Sequence, residues 1–417
     1  MLREALDGSP NAPDPSEARD SRSDPLDAPP RTRTEEVRAA GPGVGDGSED
    51  GAAPAAQPTA VPMWEVASEP DLVLGKVDGP QEQLFQVIGG VAQMSGGSLA
   101  VVDSGRSQIF FFSESGEYLR TAGRYGEGPG ELQAHRLLQA RQYDRLVLAS
   151  RLRISEAHED GRIEPLLHGG LYGVRDWFRA VTPDGLVVQR LQNMGERMQR
   201  SGPRTEDDLV LRYDLSLSDW VELGRFRYEH RYIELLPQAA QRSFGLPLHA
   251  ELSLAPTEQG VLVSVGNGNE MLHLGPDGSA KDTVRLPIEP RSVGRAEVED
   301  WVEARLARHE HRGADAVSEI RDTYLGMPRP DEMPVVESLI PDPEGTVWVE
   351  LASDAPEFPG AQWLALDEDW EVVGWLRLPE GFELSQVGSD FVLGTAFGPH
   401  GIGLVQRFQL RRLPAAD

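Results

Sequence analysis

FQVIGGVAQMSGGSLAVVDSGRSQIFFFSESGEYLRTAGRYGEGPGEL, residues 85–132, alternates short apolar runs with tight turn signals. Val87–Met94 predicts a first strand, ended by Ser95-Gly96-Gly97. Leu99–Val102 predicts a second, ended by Asp103-Ser104-Gly105-Arg106. Gln108–Phe112 predicts a third, and Ser113–Gly116 leads into a fourth around Tyr118–Thr121. Turns this short join antiparallel neighbours. Four such strands in roughly forty residues are the signature of one β-propeller blade.

Weaker copies of the same grammar follow. His135–Gly161 turns at Tyr143-Asp144, and a third unit turns at Asp184-Gly185 before Leu209–Leu215. A fourth turns at Gln259-Gly260 and again at Asp277-Gly278, and a fifth at Glu344-Gly345. FELSQVGSDFVLGTAF and IGLVQRFQLRRL, from Phe382 onward, make a sixth. Asp71–Val77 is a strand without a partner in its own unit, which is what closure of a ring needs. The prediction is an all-β, six-bladed β-propeller over residues 63–417. A short helical insertion, about 293–325, is expected between blades four and five, because Val298, Trp301, Val302, Arg305 and Leu306 recur at helical spacing. It reads as a packing element, as a lid, or as a docking helix with an exposed Val298–Trp301–Val302 stripe. Residues 1–62 are Pro-, Asp-, Ser- and Gly-rich with few large apolar side chains, a composition expected to remain a disordered tail.

The 417-residue chain is 39% hydrophobic, enough for a sizeable core, and its 44 Gly and 32 Pro suit many short strands. Cysteine is absent, which excludes a disulfide framework and a thiolate nucleophile or metal ligand. The net charge of −28 repels phosphates, and Lys76 and Lys281 are the only lysines, so no nucleic-acid partner is expected. No run approaches the roughly 20 apolar residues of a membrane span, and the first residues lack a signal-peptide pattern.

The segment GRYGEGPGE, residues 123–131, resembles a motif of the bacterial six-bladed β-propeller proteins, an NHL/TolB-like group, with Leu132 where that group usually has Phe. The resemblance extends to YLGMPRP (residues 324–330), GTVW (345–348), FVLG (391–394) and VQRFQLR (405–411), and covers about residues 64–413. It implies the ring fold and no particular reaction. It also implies an extracytoplasmic location, from which this sequence departs in lacking a signal peptide and a lipidation cysteine.

Two places are candidates for chemistry. In the Gly123–Glu131 loop, Gly126, Gly128 and Gly130 can offer backbone N–H groups to an anion and Arg124 can pair with it. Glu127 and Glu131 oppose that role, and a connector between blades is the alternative. Alignment of the inner strands on their turns puts Arg136, Arg175 or Asp176, Glu251 and Glu337 at similar heights, with His249 near an inner-strand start. Such a ring suits a polar ligand or a cation; solvated or mutually paired channel residues are the plain reading. Metal-dependent propellers need converging His and carboxylate ligands. The nine histidines are irregularly placed, His309 and His311 being two apart on the expected helix. No catalytic residue or metal ligand stands out, and no cofactor is predicted, although a structural calcium would fit a channel. Trp348, Trp363 and Trp375 are expected to pack between blades. No G-x-S-x-G nucleophile elbow is present. The expected function is a non-catalytic binding or scaffold propeller; the expected partner is a protein, a glycan or a small polar ligand, and the molecule a monomer. The alternative is a metal-dependent hydrolase or lyase using the channel.

Overall fold

The computed structural model describes residues 63–413 except 127, 133–135, 141–144, 150–152, 168–175, 183–184, 192–200, 236–240, 307–312 and 354. The expected tail, His309 and His311 lie outside the described residues. Those described belong to one compact unit, Ala39–Asp417. Two short strands, β1 (Met63–Val66) and β2 (Leu72–Leu74), precede the first blade. Blade one is β3 (Ile88–Gln93), β4 (Leu99–Asp103), β5 (Gln108–Phe112) and β6 (Tyr118–Ala122). Blade two is β7 (Arg136–Ala140), β8 (Arg145–Ala149), β9 (Ile154–Ala157) and β10 (Ile163–Leu167). Blade three has five strands: β11 (Asp176–Thr182), β12 (Gly185–Leu191), β13 (Gly202–Asp214), β14 (Asp219–Leu235) and β15 (Gln241–Gly245). Blade four is β16 (Ser253–Thr257), β17 (Gly260–Ser264), β18 (Glu270–Leu274) and β19 (Ala280–Arg285). Two helices follow, α1 (Arg295–Leu306) and α2 (Ala314–Leu325). Blade five is β20 (Val336–Pro341), β21 (Val347–Leu351), β22 (Trp363–Leu366) and β23 (Val372–Leu376). β24 (Glu383–Val387), β25 (Phe391–Phe397) and β26 (Gly403–Arg412) make blade six, completed by β2 on β26. The fold is the six-bladed β-propeller that the turn signals predict.

The inner strands β3, β7, β11, β16, β20 and β24 lie each against the next, and β24 returns to β3. Apolar side chains fill every seam between blades. Phe111, Ile109 and Leu148 lie between blades one and two, Ile154 and Leu186 between two and three, Val187 and Val261 between three and four. Leu262, Val349 and Leu364 fill the next seam, Trp348, Trp363 and Phe408 that between five and six. Trp375 packs at the edge of the core between four and five. The second strand of a blade is covered on both faces, so it reads as an unbroken apolar run: Leu99–Asp103 and Gly260–Ser264 are buried throughout. Gly260 starts its strand at φ 147°, and a Cβ there would sit 1.9 Å from the Leu274 carbonyl oxygen of the neighbouring strand.

The last seam joins the chain's two ends. β2 pairs antiparallel with β26, and β1 pairs with the far end of β26 and, in parallel, with β23, so that blades five and six form one nine-stranded sheet. Trp64 packs edge-on against Trp348. Between blades six and one, the buried Gln386 side chain accepts from the Gln93 backbone N–H (2.7 Å) and donates to its carbonyl (3.1 Å). Arg407, on β26, donates to both Asp71 oxygens (3.2 and 3.1 Å) and to Gln93 Oε1 (3.2 Å).

The inner strands begin on one face, here the upper face; the described connections after the second and fourth strands of a blade lie there too. β13 and β14 outrun β12, since Gly202 pairs with Ile233 while the last pair of β12 is Leu191 with Asp208. This hairpin rises above the upper face, where it meets α1 and α2. Val298, Val302, Leu306, Ile320 and Tyr324 pack with Leu246, Leu248 and Phe244 into a separate small core, with Trp301 edge-on to Tyr324. The stripe that a docking helix would expose is turned inward, as a packing element requires: Val298 and Val302 are buried against α2, Phe244, Leu246 and Leu248. Arg242 on β15 pairs with Glu319 on α2 (2.8 Å). Asn267 fastens this cap to blade four. Its amide donates to the carbonyls of Leu248 (2.7 Å) and Glu332 (2.6 Å), and its oxygen accepts from the Ala250 N–H (3.0 Å).

Two stability measurements test this account. In a double-mutant cycle of Asp71→Asn and Arg407→Met, urea unfolding is expected to return a coupling of about 1 kcal/mol, and Arg407→Met alone a loss of about 1–3 kcal/mol. The second concerns His273, buried edge-on to Trp370 at the seam of blades four and five. Burial first, then Lys281, push its pKa below the ordinary 6.5. A group that folds neutral stabilises above its unfolded pKa and loses that contribution as pH falls toward its folded pKa. Wild type is therefore expected to lose stability relative to His273→Gln as pH drops below about 6.5.

A carboxylate-lined upper face

The side chains that can recognise a ligand are set by irregularities in the inner strands. In four of them the pairing with the second strand slips by one residue, leaving Gly89, Arg179, Glu337 and Ser385 as the extra residue of a β-bulge. A bulge turns its side chain out of the regular alternation. Glu337 therefore stands at the upper end of β20 among Glu350 of β21, Glu251 ahead of β16, and Arg305 of α1. It is exposed by area, yet the surrounding wall desolvates its carboxylate. Burial, then Glu350 and Glu251, push its pKa above 4.5, and Arg305 only partly opposes them. Glu350 is also pushed up by burial; its hydrogen bond from Ser338 (2.6 Å) lowers it, and Glu383 at the start of β24 raises it. Negative charge is thus concentrated at the start of three adjacent inner strands, beneath one side of the cap.

Arg179 is held in the wall. Its guanidinium donates to Gln189 Oε1 (2.6 Å) and to the Leu252 carbonyl (3.0 Å), linking blades three and four. Buried Gln189 donates in turn to Asp208 (2.5 Å) and to the Tyr228 hydroxyl (2.9 Å), which donates to Asp208 (3.0 Å). Burial and the Asp208 charge push the Tyr228 pKa well above its usual value.

Of the residues expected from sequence, Glu251 and Glu337 come together. His249 lies two residues before Glu251; Pro247 O is 2.9 Å from its Nδ1, and burial lowers its pKa. Arg136 and Asp176 open β7 and β11 on the same face, and their side chains lie outside the described residues, as does Arg175. Arg124 is apart from this group: Glu131 accepts from its Nε (2.9 Å) and from the Gly128 N–H (2.7 Å), so this carboxylate occupies the turn of the glycine loop. Sequence reasoning missed Glu350, Glu383, Arg305 and Arg179. The alternation in VWVEL marks Glu350 as different from its apolar neighbours, but nothing in the sequence announces the bulges. Among the described residues no three His, Asp or Glu side chains are grouped closely enough to hold a metal ion, and no helix is long and apolar enough to cross a membrane.

Crowded carboxylates left ionised cost stability. A raised carboxyl pKa contributes stability at low pH and loses it as pH rises through the folded value. Glu337→Gln is accordingly expected to melt at a higher temperature than wild type at pH 8, with the difference gone at about pH 4, as read by calorimetry.

A comparison with curated protein sequences finds no match. Among solved structures, a DUF4221-family protein from Bacteroides vulgatus is 12% identical with a TM-score of 0.45, over 84% of this chain and 99% of that one. The calcium-binding protein regucalcin from Agrobacterium tumefaciens is 10% identical with a TM-score of 0.35, over 79% and 92%. A gluconolactonase from Xanthomonas campestris is 14% identical with a TM-score of 0.35, over 76% and 85%. Likeness at this level says nothing of activity. Residues 78–135, the first blade with its glycine loop, match the family model DUF5128, described as a 6-bladed beta-propeller.

Proposed function

We propose that this propeller is a non-catalytic recognition module that binds a cationic group of a protein or small polar partner at the upper-face carboxylates. The observation that carries the reading is the bulge at Glu337, which adds a desolvated carboxylate beside Glu251 and Glu350 with Arg305 as a partial counter-charge. A crowd of carboxylates that raises its own proton affinity gains most from an ammonium or guanidinium, which neutralises it without a covalent step. The fixed ring wall and the cap give such a group a preorganised seat. Glycans, the other partner class that the composition allows, have no comparable support among the described residues.

The test is calorimetric titration with acetylated, amidated tri-lysine and tri-arginine peptides at low and high salt, beside thermal unfolding with calcium or zinc. The peptides are expected to bind, to weaken with salt, and to lose about tenfold or more in affinity in Glu251→Gln/Glu337→Gln, while Asp160→Asn/Glu164→Gln, exposed acids of blade two, binds as wild type. Equal binding by both double variants overturns the proposal. So does a thermal shift with metal ions and no binding of either peptide, the result a metal-dependent enzyme would give.

A further inference from the structure

We infer that the sector of the upper face over blades six and one docks a basic protein segment through apolar anchors; this rests on the cation-binding role proposed for the carboxylates. Five large apolar side chains among the described residues are more than half exposed: Tyr125 (75%), Phe397 (75%), Leu217 (73%), Val77 (60%) and Val87 (57%). All but Leu217 belong to upper-face connections of blades six and one. Phe397 ends the second strand of blade six, Val77 and Val87 lie between β2 and the inner strand of blade one, and Tyr125 follows the fourth strand of blade one.

Backbone contacts link the connections that carry them. Phe397 pairs with Gly403, and a Cβ at Gly403 would meet the side chain of Ile88, the residue after Val87. The Gly403 carbonyl also adjoins Gly75, two residues before Val77. The Val87 carbonyl accepts from the Ser104 N–H (2.8 Å), and the turn that Ser104 begins reaches Gly123, where the Ser107 carbonyl closes on the glycine loop. That loop then has a task. Glu131 fixes it from within, the Tyr125–Leu132 bridge sets its backbone, and Leu132 is buried, while Tyr125 is left standing in solvent. An exposed aromatic on a fixed loop, with Phe and Val on neighbouring connections of the same face, is the composition of a protein-binding anchor.

Charge selects the occupant. Arg106 is engaged by Asp103 and the Gln81 carbonyl (2.7 Å), and Arg124 by Glu131. Lys76 is then outnumbered by Asp78 and Glu82 nearby, and by Glu251, Glu337 and Glu383 toward the mouth. An anionic membrane surface or an acidic protein is repelled; a basic segment with interspersed apolar residues meets both features.

The probes are three synthetic peptides of equal length: alternating lysine and leucine, the same with serine for leucine, and the same with glutamate for lysine. Wild type is expected to bind the lysine–leucine peptide at least tenfold more tightly than the lysine–serine one, and the glutamate peptide not at all. Val87→Asp/Phe397→Asp is expected to remove that advantage and leave lysine–serine binding unchanged; Leu217→Asp, on the opposite face, is expected to change neither. Thermal melting checks that each variant is folded. If the Val87→Asp/Phe397→Asp variant keeps the advantage, or Leu217→Asp loses it equally, this inference is overturned while the carboxylate reading stands. If no lysine peptide binds, both fall.

Discussion

A ring is stable only if it closes, and here β2 closes it on β26, with Arg407 spanning the seam. Its guanidinium ties the strand entering the ring at Asp71, the last strand of the ring, and the inner strand of the first blade at Gln93. Asp71 and Gln93 each lie more than three hundred residues from Arg407 along the chain, so the contact closes one of the long loops of the fold. Gln386 supports it with a side-chain amide that imitates a strand partner for Gln93. Once that seam is joined, each blade is packed on both sides, and no inner strand can shift without disturbing its neighbours.

Rigidity of this kind lets the ring carry features that would unravel a freer sheet. Bulges cost regular pairing in four inner strands, and crowded glutamates at Glu337 and Glu350 oppose folding at neutral pH. The cap adds a second small core above blades three to five, fastened to blade four by Asn267, so the described upper face is asymmetric: capped and acidic on one side, with exposed apolar side chains on the other. Local costs of this kind concentrate where a protein meets a ligand.

The architecture was legible because each blade repeats a physical requirement. A strand covered on both faces must read as an apolar run, as in LAVVD and GVLVS, and tight turns must carry Gly or Asp. The helices were legible from Val298, Trp301 and Val302, but their environment was not. What covers their stripe, Phe244 of β15 with Leu246 and Leu248 beyond it, lies roughly fifty residues earlier in the chain and carries no mark of that role in sequence. Of the site, Glu251 and Glu337 could be aligned by their distance from turns. Glu350 and Glu383 could not, since their convergence depends on register and on a slip of one residue, which leave no mark on composition. The glycine loop invited an anion in sequence; in the fold its own Glu131 fills that role.

The direction of β1 has a geometric consequence. β26 descends from the upper face, and β1 climbs beside it, with Trp64 opposite Arg412. Both described ends of the chain therefore leave from the lower face. A tether joined directly at residue 63 or 413 therefore starts on the face opposite the carboxylates at the inner-strand starts.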